Sequence, residues 1–190
     1  MFELLIKNTA KGLDKRNISY MIIGGQAVLL YGTPRLTKDI DITLGIDTDD
    51  ILLIKSLCKD LKLKILPKDA DSFARKTMVL PAEDPKTKIR VDFIFSFSDY
   101  ENEAIKRAKK VKIKNYNVRF ASVEDLIIHK IFSGRAIDLE DIKNILIKTG
   151  RKKINAGYIR GWLKELQRSS HETDTVSAFN KILTGIKGKG

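Results

Sequence analysis

Three aspartates and a glycine pair have the types and spacing for phosphate chemistry. Asp39 and Asp41 flank Ile40 in a stretch that alternates polar and apolar through Leu44. In a strand, side chains two apart leave the same face, so both carboxylates project together. Aspartate is disfavoured in strands, and two like charges on one face repel. A divalent cation removes that repulsion, and Mg²⁺ commonly joins carboxylates to phosphates through oxygen ligands. A solvated edge face continued by Thr43 would account for the pair without a ligand. Asp92 lies in KIRVDFIF, residues 88–95, where Val91 and Phe93 should face a core and leave Asp92 opposite, with Arg90 and Ile94. A third carboxylate there could complete a two-metal phosphoryl-transfer site and take the proton of an attacking hydroxyl. An ordinary surface arrangement of Arg90 with Asp92 is the plainer reading. Gly24 and Gly25 stand where a strand hands over to a helix. Lacking Cβ, they let backbone approach a ligand, and N–H groups at a helix start favour anions. A tight turn with no ligand has the same signature.

Elements that would position these residues follow from periodicity. Phe2, Leu5, Ile6 and Leu13 recur at helical spacing, which predicts an amphipathic helix over the first fifteen residues. Residues 20–23 read as a short apolar strand, 26–31 as a short helix closed by Gly32 and Pro34, and 39–44 as a strand. Asp47 or Thr48 caps a predicted helix running to about Asp60, and a second helix is expected over 69–76. Strands are expected at 78–80 and 88–95, a helix at 99–110, and a strand or hairpin pair at 111–120. From Ser122, which with Asp125 resembles a capping pair, the pattern is helical, with further helices at 138–149, 155–169 and 172–184. The change of pattern places a boundary between residues 1–121 and a C-terminal helical part, 122–190. The Lys-Gly-Lys-Gly tail at 187–190 is expected to fray.

Composition narrows the field. The 190 residues are 43% hydrophobic and carry a net charge of +12, so a chain too polar to form a core is excluded. One cysteine, Cys58, allows no internal disulfide and fits a reducing, cytoplasmic setting. The N-terminus carries Glu3 and Lys7 within its first apolar turns, unlike a signal peptide. Residues 20–34 are too few to span a bilayer and include three glycines and Gln26, so no membrane association is expected. Residues 1–100 hold 16 basic and 14 acidic side chains against 20 and 10 in 101–190. That asymmetry points the second half toward a polyanion such as RNA, although a generally lysine-rich chain needs no partner. The runs 106–114 and 151–153 could follow a phosphate backbone or be solvated basic faces.

A glycine pair, thirteen intervening residues, Asp-x-Asp on a strand and a lone Asp on a later apolar strand resemble the DNA polymerase β-type nucleotidyltransferase superfamily. Residues 24–44, GGQAVLLYGTPRLTKDIDITL, are more closely similar to its AbiEii-like branch, which includes toxins of type IV toxin–antitoxin systems. Residues 122–142, SVEDLIIHKIFSGRAIDLEDI, resemble that branch's helical block of a Lys, a Gly-Arg and a following Asp. The resemblance implies an α+β nucleotidyltransferase fold, a small mixed β-sheet flanked by helices with a C-terminal helical subdomain. It implies metal-dependent transfer of a nucleoside monophosphate from an NTP to an acceptor hydroxyl, with pyrophosphate release. Asp39, Asp41 and Asp92 match the catalytic, metal-binding carboxylates, for two Mg²⁺ ions or Mn²⁺. Gly24 and Gly25 match the triphosphate-holding turn. Arg35 and Thr37 match polar residues before the aspartate pair, with Arg35 expected near phosphate. Lys130 matches a helical lysine expected to reach the triphosphate, and Asp138 matches the acidic residue of that block or is a helix N-cap. An RNA or tRNA end is the favoured acceptor, with a protein or small-molecule hydroxyl as alternatives. A cognate protein partner, or a non-catalytic NTP-binding or antitoxin-like role, also belongs to this resemblance. Many superfamily members carry Gly-Ser where this chain has Gly24-Gly25, and Tyr31 stands where His is common.

Competing chemistries lack their motifs. No P-loop or dinucleotide-binding glycine fingerprint is present. His129 and His171 are far apart and only one cysteine exists, so no zinc pattern forms. Cys58 reads as core packing of a helix; His129, beside Lys130, could approach a nucleotide but reads first as a partly buried helix histidine, and Tyr158, Ile159 and Trp162 read as packing positions before a base-stacking platform.

Overall fold

The computed structural model describes residues 1–34, 36–96, 98–170 and 174–186. Arg35, His171 and the tail at 187–190 therefore lie outside the described residues. The chain divides into two compact units, one of residues 1–26 and 36–121, the other of residues 27–35 and 122–190. The short segment 27–35 thus joins the helical unit although it precedes most of the sheet.

In the first unit seven strands form one mixed sheet: β1 (Tyr20–Ile22), β2 (Asp39–Leu44), β3 (Lys64–Ile65), β4 (Val79–Glu83), β5 (Arg90–Phe95), β6 (Lys109–Ile113) and β7 (Tyr116–Phe120). Their spatial order is β3-β4-β5-β2-β1-β7-β6. β2 and β5 pair in parallel over their full length, Asp39 opposite Arg90 and Asp41 opposite Asp92. Ile40, Ile42, Leu44, Val91, Phe93 and Phe95 are buried on one face of this pair. Each such side chain contributes about 1.5–3 kcal/mol on burial. A slip of one residue would bury the aspartates instead, so the core sets the register of the polar face. β1 is buried throughout and runs antiparallel to β2.

Helices α1 (Phe2–Lys15), α3 (Ile51–Asp60), α4 (Ala70–Thr77) and α5 (Asp99–Lys106) complete this unit, while α2 (Gly24–Tyr31) begins in it and ends in the other. α1 buries Ile6, Ala10 and Leu13. Asp14 anchors that helix to β7 by accepting from Tyr116 Oη at 2.6 Å and Arg119 at 2.9 Å. A single 3₁₀ turn, Thr48–Asp50, precedes α3, and Asp47 accepts from the backbone of Asp49 to start it. Asp69 caps α4, and Ser98 with Glu101 forms a reciprocal capping box on α5. Cys58 is buried and burial pushes its thiol up to about 12, which suits an inert core residue.

The second unit packs α6 (Val123–Ser133), α7 (Ala136–Thr149), α8 (Ala156–Ser170) and α9 (Thr175–Gly185). Ser122 caps α6 by accepting from Asp125 N, and Tyr158 of α8 donates to the Asp125 carboxylate at 2.8 Å. Tyr158 and Trp162 form an edge-to-face pair. Gly134 ends α6 in the left-handed conformation, at φ 63°. Lys148 donates to the Gly32 carbonyl at 2.9 Å, and Gly32 packs against Ile145. These contacts tie segment 27–35 to α7. Among the described residues no helix is long and apolar enough to cross a membrane.

Candidate active site

The site is built where β1 runs into α2 beside the start of β2. Ile23 N donates to the Asp41 carbonyl at 3.0 Å, which fastens the turn to the aspartate strand. Gly24 then takes φ +61°, and a Cβ on it would lie 1.8 Å from Asp41 Oδ2. The Asp41 carboxylate therefore rests where any other residue would carry a side chain. Gly25 is equally confined, since its Cβ would stand 2.3 Å from Thr37 Cγ2. The N–H groups of the first turn of α2 have no partner within the helix and favour an anion.

Gln26 is a structural contributor that sequence reasoning missed. Its buried side-chain amide donates to Thr37 Oγ1 at 2.7 Å and reaches the Asp39 carbonyl at 3.5 Å. This joins the start of α2 to the segment entering β2. Thr37 is buried and its hydroxyl accepts from Gln26. A polar residue directly after a glycine pair was the available signal, but the partner is eleven residues away and only the fold supplies it.

Strand register brings the three aspartates to one face. Asp39 and Asp41 alternate with buried Ile40 and Ile42, and Asp92 is level with Asp41 on the neighbouring strand. All three are half-buried. Arg90 shares the face and donates from Nε to Asp92 Oδ1 at 2.6 Å. Burial raises the Asp92 carboxyl above its ordinary value, Arg90 draws it back down, and the charge of Asp39 adds to the rise. The Arg90 guanidinium is held more firmly protonated by its hydrogen bond to Asp92, with the charges of Asp39 and Asp41 contributing. The donor set is all oxygen, acidic and mutually repelling, which fits a hard divalent cation such as Mg²⁺ or Mn²⁺. Among the described residues, however, no group of three Asp, Glu, His or Cys side chains is already drawn together as a cation cage. The carboxylates are co-facial rather than convergent, and Arg90 occupies one of them.

The block containing Lys130 belongs to the other unit. Lys130 is buried and its ammonium donates to Asp138 at 2.8 Å and Asp141 at 2.7 Å, which clamps α6 to α7. Arg135 adds a bond of 2.6 Å to the far oxygen of Asp138. Asp138 follows Ala136 and Ile137 within α7, so it is not the N-cap; Arg135 holds that position. Burial alone would raise the Asp138 carboxyl, but the bonds from Arg135 and Lys130 bring it down to about 2. His129 is buried, and burial pushes its imidazole down to about 4, a neutral core residue. Of the basic runs, Lys109, Lys110 and Lys112 are exposed along edge strand β6, and Arg151–Lys153 form an exposed 3₁₀ turn. Lysines on an edge strand also discourage pairing with another chain.

Over residues 3–182 the sequence matches the family described as nucleotidyltransferase of unknown function (DUF6036). No curated protein matches the chain. Among solved structures, the solution structure of the antibiotic-resistance factor ANT(2'')-Ia is similar with a TM-score of 0.59 at 16% identity, over 89% of this chain and 96% of that one. A crystal structure of ANT(2'')-Ia in complex with adenylyl-2''-tobramycin gives 0.57 at 19% identity, over 86% and 97%. An antigenic nucleotidyltransferase-like protein from Paracoccidioides brasiliensis gives 0.54 at 22% identity, over 94% and 91%. The structural likenesses show the α+β nucleotidyltransferase fold, and the chain belongs to the DUF6036 nucleotidyltransferase family.

Proposed function

We propose that this member of a nucleotidyltransferase family moves a nucleoside monophosphate from an NTP to an acceptor hydroxyl and releases pyrophosphate. The observation that carries the reading is the co-facial register of Asp39, Asp41 and Asp92, with Asp41 packed on the Gly24 turn. Asp39 and Asp41 would hold the divalent cation, Mg²⁺ or Mn²⁺, with Asp92 completing the acidic face. When bound, that cation would neutralise charge on the triphosphate and lower the cost of ionising the acceptor oxygen. The backbone N–H groups at Gly24 and Gly25 would cradle phosphate oxygens, and the motif match gives Arg35 a phosphate-contacting role. Thr37, held by Gln26, fixes the approach to Asp39. The acceptor oxygen bonds to the α-phosphorus, the bond to the β-phosphate oxygen breaks, and Asp92, whose raised carboxyl favours holding a proton, accepts the hydroxyl proton. Positioning and charge neutralisation suffice for such a transfer. For Lys130, the buried bonds to Asp138 and Asp141 support a scaffold role in place of the expected triphosphate contact.

An RNA or tRNA end is the proposed acceptor, supported by the excess of basic residues in 101–190. A small-molecule hydroxyl is the second reading, favoured by the fold shared with ANT(2'')-Ia in complex with adenylyl-2''-tobramycin. The motif blocks at 24–44 and 122–142 support an AbiEii-like affinity within the superfamily. The deciding experiment presents each of four α-labelled NTPs with Mg²⁺ to total RNA and to a panel of aminoglycosides. Label should reach one acceptor class and vanish in the Asp39→Asn, Asp41→Asn double variant. Undiminished transfer by that variant would show that the site lies elsewhere.

A further inference from the structure

Arg90 lies on the polar face of β5, away from the buried Val91, Phe93 and Phe95. It opens β5 directly across from Asp39, is half-exposed, and donates from Nε to Asp92 Oδ1. Strand alternation forces residues 90 and 92 onto one face, so the guanidinium bonded to Asp92 shares that face with Asp39 and Asp41 and feels their charge. A fixed cation among three carboxylates offsets the repulsion that would otherwise act between them. It also fills a coordination position of Asp92 that a metal ion would need.

We propose that Arg90 is a built-in counter-ion that holds Asp92 against free divalent cations and yields it when an NTP arrives with its own cation. Once displaced from Asp92, the guanidinium is free to make paired N–H contacts to phosphate oxygens of the incoming nucleotide. Free metal is thereby a poor ligand of the resting site, and the metal–nucleotide complex is a good one. The proposal rests on the reading of Asp39, Asp41 and Asp92 as the cation-binding face.

The test measures Mn²⁺ binding without nucleotide, by loss of the free-ion electron spin resonance signal, and separately the binding of a non-hydrolysable Mg²⁺–NTP analogue. The full chain is compared with Arg90→Gln, Arg90→Lys and the Asp39→Asn, Asp41→Asn double variant. Arg90→Gln should bind Mn²⁺ about tenfold more tightly, in the range by which neighbouring partners tune metal sites, and should bind the nucleotide complex more weakly. Arg90→Lys should return Mn²⁺ affinity toward the parent value, because an ammonium still competes. Folding of each variant is checked by its melting temperature, and the half-exposed side chain leaves no buried hole. Unchanged or weaker Mn²⁺ binding by Arg90→Gln, with binding still lost in the double aspartate variant, overturns the counter-ion role alone. Mn²⁺ binding that is absent from every variant, or indifferent to the aspartates, overturns the cation-binding face itself.

Discussion

Replacing Gly24 with alanine separates damage to the site from damage to the fold. The backbone at this residue has φ +61°, a conformation costing an alanine about 1–2 kcal/mol relative to ordinary helix geometry. The new Cβ would fall 1.8 Å from Asp41 Oδ2 and 2.8 Å from its Cγ. Ordinary carbon–oxygen contact needs roughly 3.4 Å or more, so the carboxylate must retreat by about 1.5 Å. Because the obstacle is a side-chain end rather than backbone, the chain should still fold. A loss of about 1–2 kcal/mol lowers the melting temperature by roughly 2–8 °C in a protein of this size. Misplacement of a reacting group by about 1 Å costs roughly 100-fold in rate, about 2.7 kcal/mol of transition-state stabilisation. The assay is α-labelled NTP transfer beside a thermal melt, and Gly24→Ala should be a folded protein at or below about 1% of parent activity. Activity within a few fold of the parent in a normally folded variant would refute the claim that Asp41 must lie against this turn.

Other outcomes follow from the helical unit. Lys130→Met removes the buried cation shared by Asp138 and Asp141, leaving Asp138 its bonds from Arg135, and should cost about 3–5 kcal/mol in denaturant unfolding; adding Asp141→Asn should restore part of it, and no recovery would argue against an ion cluster. Acid should act on this unit in two stages. His129 titrates near 6.5 when unfolded and near 4 when folded, so its contribution is complete above 6.5 and drains as pH falls toward 4. Asp138 falls from 3.8 to about 2 on folding, so its contribution is complete above 3.8 and is lost toward pH 2. Melting temperature followed against pH should show both stages, and His129→Leu should flatten the upper one alone; a flat profile from pH 7 to 4.5 in the parent would contradict the burial of His129.

Residues whose role is set by near neighbours were legible in the sequence. β2 runs from Asp39 to Leu44 as its alternation indicated, and Asp92 stands opposite Val91 and Phe93 as the KIRVDFIF pattern required. Local rules failed where a distant partner decides. α2 starts at Gly24 rather than Gln26, because a left-handed glycine turns the chain straight into the helix. The strand expected to stop at Leu80 continues through Pro81 to Glu83, since the Pro81 carbonyl still accepts from Leu66 N. β3 has two residues and no periodicity to read, and exists through its pairing with β4. Motif matching located Lys130 and Asp138 but not their mutual bond, which depends on the turn at Gly134 folding α7 back onto α6.

The tight fit at Gly25 ties three positions of the site together. A serine there would press its Cβ into the Thr37 methyl. That methyl cannot simply swing aside, because the Thr37 hydroxyl is held by the buried Gln26 amide. Positions 25, 26 and 37 are therefore coupled by contact: a side chain at 25 requires Thr37 to move, and moving Thr37 loosens its bond to Gln26. Glycine at 25 and threonine at 37 fit one another, so changing either one alone strains the start of α2.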